Sequence, residues 1–180
     1  MSTIETLQNE TAAQLQRWTV DPDRSTVEFE VRHAWGLSAV TGRFRQFGGW
    51  YVVRSGRASL ELAVDPASVD TGNGMRDKHL RSGDFFDADE HPWIRFTSTD
   101  IVDEGRGKLH VGGILSVAGA QVPVGLVATK RQFADELEIE ATGLVDQTDF
   151  GISSRPLWSI RRPTRVHVRT RLTPSEGLFE

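Results

Sequence analysis

From residue 18 onward apolar and polar residues alternate with a period of two. In the run 26–32, Val27, Phe29 and Val31 fall on one side, and Glu28, Glu30 and Arg32 on the other. That is the pattern of a strand with one buried and one wet face. Comparable runs cover 40–47 with Phe44, 58–64 with Leu60, Leu62 and Val64, and 93–101 with Ile94 and Phe96. Four more follow at 108–117, 122–132, 136–145 and 165–171, several of them bounded by glycine turns at Gly48-Gly49, Gly105, Gly107 and Gly119. About eight short antiparallel strands predict an all-β domain, a barrel or a sandwich.

Two segments break this period. Residues 1–17 contain no aromatic residue and no glycine, and Ile4, Leu7, Thr11 and Leu15 recur near helical spacing. Ser2 and Glu5 fit a capping box, so the segment reads as a short amphipathic helix or a disordered arm. Residues 70–89 carry a turn cluster, Thr71-Gly72-Asn73-Gly74, from which Asn73 is placed to cap a short helix over Met75–Arg81. Gly83 ends that helix, and Asp84 is placed to cap a second turn holding Phe85 and Phe86. The expected organisation is an arm over 1–17, one β domain over 18–173 with a helical insertion around 73–89, and a tail over 174–180.

Composition removes several classes of function. The chain has 180 residues, a one-domain length, and no cysteine. Disulfides, thiolate-ligated zinc, iron–sulfur clusters and thiol nucleophiles are therefore excluded. A net charge of -4 argues against nucleic acid as a partner. No apolar run approaches the roughly 20 residues of a membrane-spanning helix. The first seventeen residues include Glu5 and Glu10 and lack an apolar stretch. They do not read as a secretory signal, and a cytoplasmic location is expected.

Candidate chemistry concentrates in Arg76-Asp77-Lys78-His79-Leu80-Arg81. On a helix, Arg76 and His79 share a face, as do Asp77 and Arg81. The cluster reads either as a cationic site for an anionic headgroup or as a surface helix with locally paired charges. The histidines, at 33, 79, 91, 110 and 167, lack zinc-motif spacing, so no metal or other cofactor is expected. Nucleophile-elbow, Walker and dinucleotide fingerprints are absent, and no enzyme is expected. Arg155, Arg161, Arg162, Arg165, Arg169 and Arg171 make the C-terminal region basic. They suit either an anionic membrane surface or the wet face of the last strand. If eight strands close into a barrel, Val27, Phe29, Val31, Phe44, Leu60, Leu62, Val64, Ile94, Phe96, Leu126 and Ile139 point inward, and a hollow barrel so lined favours a long apolar guest. Composition leaves hollow and packed barrels equally open.

Several ordered motifs carry a resemblance. They are Trp18–His33 (WTVDPDRSTVEFEVRH), Gly42-Arg43-Phe44, Val64–Gly72 (VDPASVDTG), Arg76–Asp87 (RDKHLRSGDFFD), His91–Ser98 (HPWIRFTS), Gly113–Gly119 (GILSVAG), Pro123-Val124 and Asp149-Phe150-Gly151-Ile152. With these the chain resembles the YceI-like family, lipocalin-like proteins that bind polyisoprenoids and related lipids. The resemblance implies an eight-stranded antiparallel lipocalin-like barrel with an elongated apolar cavity, the isoprenoid tail inside and the headgroup towards the mouth. It also implies a homodimer, while transient contact with a membrane surface is a separate expectation. Ligand contacts are expected from Val27, Phe29, Val31, Phe44, Leu60, Leu62, Ile94 and Phe96 in the wall. Arg76, His79 and Arg81 are expected at the mouth. Two positions depart from the family pattern: Gln147 stands where an arginine is common, and Arg24 where histidine is frequent. The expected function is reversible binding of a long-chain isoprenoid or similar lipid, as carrier, store or sequestering protein. The rivals are an enzyme acting on such a lipid through His79, Asp77 or Asp84, and a packed, ligand-free structural or stress-response module.

Overall fold

The computed structural model describes residues 15–33, 38–152 and 163–175. Alternation becomes strand at β1 (Leu15–His33), β2 (Ser38–Phe44), β3 (Phe47–Arg54), β4 (Arg57–Val64), β5 (Val69–Asp70), β6 (Ile94–Gly105), β7 (Lys108–Val117), β8 (Ala120–Gln132), β9 (Leu137–Val145) and β10 (Thr164–Pro174). An α-helix, α1 (Gly74–Arg81), lies between β5 and β6. All pairings are antiparallel, in the cyclic order β1-β3-β4-β6-β7-β8-β9-β10, and β10 pairs with β1. The sheet therefore closes into an eight-stranded barrel. β2 continues β3 alongside the second half of β1, and β5 adds a short pairing on β2.

Three local readings change. Leu15-Gln16-Arg17, expected as the end of an arm, begin β1 and pair with Val52–Arg54 of β3. The run 40–47 is broken at Arg45-Gln46, where both backbone N–H groups donate to the Ser68 hydroxyl at 3.2 and 3.0 Å. Gly48-Gly49, expected as a turn, lie inside β3, a strand the alternation did not reveal. A Cβ on Gly49 would stand 2.4 Å from the Glu61 carbonyl oxygen of β4, so the glycine serves a close backbone approach rather than a bend.

β1 changes partner from β3 to β2 across a bulge at Pro22–Ser25, where the β10 register also shifts. Ser25 holds the bulge: its hydroxyl accepts from the Arg171 N–H at 2.9 Å and donates to the Asp21 carbonyl at 2.6 Å. Proline is tolerated there because the ladder is already interrupted.

The barrel has two unlike ends. The turns at 55–56, 106–107 and 133–136 gather at one, and the long connection 65–93 and the turn at 146–151 at the other. Near the hairpin end the interior is solid. Trp18, Val20, Tyr51, Leu109, Leu137 and Leu172 are buried and pack together, each large aliphatic contributing about 1.5–3 kcal/mol by its removal from water. On the outer face Glu138, only 2% exposed, accepts from Arg169 and Arg171 at 3.0 and 2.9 Å and lies 3.4 Å from Arg131. Glu136 pairs with Arg24 and Arg171. The hydrogen bond from Arg24 holds the Glu136 carboxyl below its ordinary range. Arg169 and Arg171 thus neutralise carboxylates on β9 and its hairpin, and Arg155, Arg161 and Arg162 lie outside the described residues.

Candidate functional site: an apolar cavity with a polar rim

Towards the long-connection end the interior opens into a cavity of about 290 Å³. Val27, Phe29 and Val31 of β1, Phe44 of β2, Leu60 and Leu62 of β4, and Ile94 and Phe96 of β6 all line it. They do so because successive inward positions on a strand are two residues apart. Leu126 and Ile139 line it as well. The sequence reading passed over much of the opposite wall, Val111 and Leu115 of β7, Val124 of β8, Ala141 of β9, and Val166 and Val168 of β10. The same alternation runs through those strands and marks them. Tyr51, Thr170 and Leu172 form the floor where the packed end begins.

α1 and the turns after it form one side of the mouth. Asn73 caps the helix, its side-chain oxygen accepting from the N–H groups of Met75 and Arg76, each at 3.1 Å. Asp77 is 7% exposed and accepts from the Thr71 N–H at 2.9 Å and the Thr71 hydroxyl at 2.6 Å. Arg76 reaches the same threonine: Nε donates to the hydroxyl at 2.8 Å, and Nη2 to the carbonyl at 2.9 Å. These bonds fix the rotation of the helix about its axis. Arg76, His79 and Leu80 then face the cavity, and Nη1 of Arg76 makes no hydrogen bond among the described residues.

Arg81 is a correction. It does not line the cavity; it lies in a shallow polar dent with Arg45, Ser68 and Asp70, and donates to the Val69 carbonyl at 3.3 Å. The reason is helical: Arg81 falls five residues after Arg76, well off the face that the Thr71 anchor turns inward. Asp77, engaged with Thr71, is not in the lining, nor is Asp84. Of the three groups weighed as an acid or base, His79 alone reaches the cavity. Its Nε2 lies 3.4 Å from Asp84 Oδ2, and its ring meets Phe85 edge-on at 4.9 Å.

Phe85 and Phe86 follow the helix, and both line the cavity. Phe86 stands 5.8 Å from Phe44, and Phe44 5.6 Å from Phe29, so three rings run from the rim into the wall. Opposite them Gln147 and Phe150 line the mouth from a 3-10 turn, Gln147–Phe150. Asp146 caps that turn, accepting from the Thr148 hydroxyl and N–H, and these bonds hold its carboxyl below the ordinary range. The rim thus presents a guanidinium, an imidazole and, at Gln147, a neutral amide to a lumen whose lining is mostly apolar.

Among the described residues no three His, Asp or Glu side chains are grouped to hold a metal ion. Among the same residues no helix is long and apolar enough to cross a membrane.

The profile of the YceI-like domain matches residues 18–172, nearly the whole barrel. The chain belongs to the YceI-like family. A UPF0312 protein from Shewanella denitrificans is 35% identical over 130 residues, a stretch spanning 70% of this chain and 68% of that protein. One from Vibrio campbellii is 37% identical over 107 residues, or 58% of this chain, and there the match spans little more than half of the relative, 56%. Among solved structures, BcnA from Burkholderia cenocepacia superimposes with a TM-score of 0.74 at 22% identity, over 87% of this chain and 99% of BcnA. A polyisoprenoid-binding domain from Saccharophagus degradans, implicated in plant cell wall breakdown, gives 0.68 at 17% identity, over 88% and 98%. At such identities the likeness concerns the YceI-like barrel itself.

Proposed function

We propose that this YceI-like protein binds a long-chain isoprenoid or similar amphiphilic lipid in the barrel, as a carrier, store or sequestering protein, and does not turn it over. The supporting observation is the continuous apolar lumen, closed by packed side chains at one end and rimmed by Arg76, His79 and Gln147 at the other. Such a lumen holds a ligand by buried area, about 0.8 kcal/mol per methylene before the chain's ordering is subtracted. The polar rim suits a headgroup, for which Arg76 offers a guanidinium that stays charged at any ordinary pH and whose Nη1 is unengaged among the described residues. The Saccharophagus degradans domain, named as polyisoprenoid-binding, makes an isoprenoid the first ligand to try. The test is organic extraction of freshly purified protein followed by mass spectrometry. A stoichiometric long-chain lipid, unchanged on prolonged incubation, is expected. Conversion of that lipid to a product overturns the non-enzymatic part, and failure of delipidated protein to take up any long-chain lipid overturns the whole.

A further inference from the structure

We propose that Gly42 is a specificity-determining residue: it lets the Phe29 ring lie flat on the barrel wall and so keeps the bore wide enough for a methyl-branched chain. The inference rests on the lipid-binding reading above. Among the described residues, and apart from Gly49 on β3, which lies against the Glu61 carbonyl of β4, three inner-wall positions are glycine, namely Gly42 on β2, Gly113 on β7 and Gly143 on β9. They alternate in register with the lining residues Val40 and Phe44, Val111 and Leu115, and Ala141 and Val145.

A large lining side chain from the neighbouring strand covers each glycine. A Cβ on Gly42 would stand 2.3, 2.6 and 2.9 Å from three atoms of the Phe29 ring. On Gly113 it would stand 2.4 Å from the Phe96 ring, and on Gly143 2.4 Å from Leu126 Cδ2. Phe29 sits directly opposite Gly42 in the ladder, and Leu126 opposite Gly143. Glycine inside a strand costs stability. Here it falls three times at places where a bulky group would otherwise project into the lumen.

Gly42 isolates the effect. The three atoms nearest to a methyl at this position all belong to the Phe29 ring, whereas a Cβ on Gly113 would also meet the Thr97 carbonyl oxygen at 2.6 Å. To reach an ordinary contact of about 3.5 Å the ring must withdraw by about 1 Å. The wall lies behind it and Phe44 stands 5.6 Å to its side, so the open direction is the lumen. A straight chain passes a ring displaced in this way, but a regularly methyl-branched chain needs side room along its whole length.

The experiment compares wild-type protein with Gly42→Ala, using 3,7,11,15-tetramethylhexadecan-1-ol and n-hexadecanol, which share a saturated sixteen-carbon main chain and differ only in methyl branches. Affinity for the branched alcohol should fall at least about tenfold and that for the straight one at most about twofold. The double variant Phe29→Leu/Gly42→Ala should restore branched-chain binding. A crystal structure of Gly42→Ala should show the ring turned inward and a smaller cavity, a readout that needs no lipid. Equal losses for both alcohols, or no loss, overturn the proposal while leaving lipid binding intact, and so does an unchanged cavity. Wild-type protein that binds neither alcohol overturns the selectivity and tells against the lipid-binding reading itself. If Gly42→Ala fails to fold and the double variant folds and binds, the clash with the ring is established; if both fail, the backbone and not the ring requires glycine, and the proposal falls.

Discussion

Filling the lumen without removing any of its wall is the sharpest perturbation of the proposed function, and Leu62→Trp does this. Leu62 lies in β4 between Gly49 of β3 and Phe96 of β6, and it faces the cavity without being fully buried. An indole adds roughly 60 Å³ over an isobutyl group, about the room taken by two methylenes of a bound chain. That is a fair share of a cavity of about 290 Å³. At about 0.8 kcal/mol per methylene the loss is about 1.5 kcal/mol, roughly tenfold in Kd, and larger for a chain that cannot bend past the ring. The fold should survive, because the new atoms occupy space and displace no packed side chain. The control is Leu144→Trp on the outer face, where Leu144 is 58% exposed. Titration of delipidated protein with a long-chain isoprenoid alcohol, alongside a thermal melt of each variant, reads the result. A folded Leu62→Trp protein with wild-type affinity would falsify the claim that this lumen holds the ligand.

Arg76→Gln and Arg81→Gln should separate the rim from its support. The first should weaken a phosphate-bearing isoprenoid some tenfold or more and a headless hydrocarbon much less, since a hydrogen bond to a charged partner contributes about 1.5–3 kcal/mol. The second, whose guanidinium meets the Val69 carbonyl outside the cavity, should leave the ratio of the two affinities unchanged; a changed ratio would return Arg81 to the rim. Asp77→Ala strands the Thr71 N–H and hydroxyl. It should cost about 1–3 kcal/mol, several degrees of melting temperature in a domain of this size, and an unshifted melt would show that the anchor is dispensable. Stability should be level from neutral pH to about 5 and decline below about 4.5, read by melts across pH. Asp70 is held down by the Gly72 N–H and then Arg45, Glu136 by Arg24, Glu140 by His167, and Asp146 by Thr148. Each folded-state value lies below the ordinary 3.8 or 4.5, so the contribution is whole above that value and is lost as pH falls through the lower one. A stability maximum below pH 4 would contradict these pairings.

Burying one face of a sheet forces a period of two, and that period survives in any alternating run of sequence. β1, β4 and β6–β10 were legible for that reason, and with them the wall from Phe29 to Phe96. The capped helix was legible as well, since Asn73 satisfies end groups that belong to its own turn. What needed long-range contact was not legible. Gly48-Gly49 reads as a turn until β4 is laid beside it, when the Glu61 carbonyl explains why a side chain is excluded at Gly49. Helical spacing placed Arg76, His79 and Arg81 in one short cluster. Only the docking of α1, set by the Thr71 anchor, turned the first two inward and the third away. The choice between a packed and a hollow barrel was likewise tertiary. The same apolar inventory fills the hairpin end and leaves a cavity towards the other, where Phe29, Phe96 and Leu126 cover glycines of the adjacent strands, a relation between residues distant in sequence that no local pattern encodes.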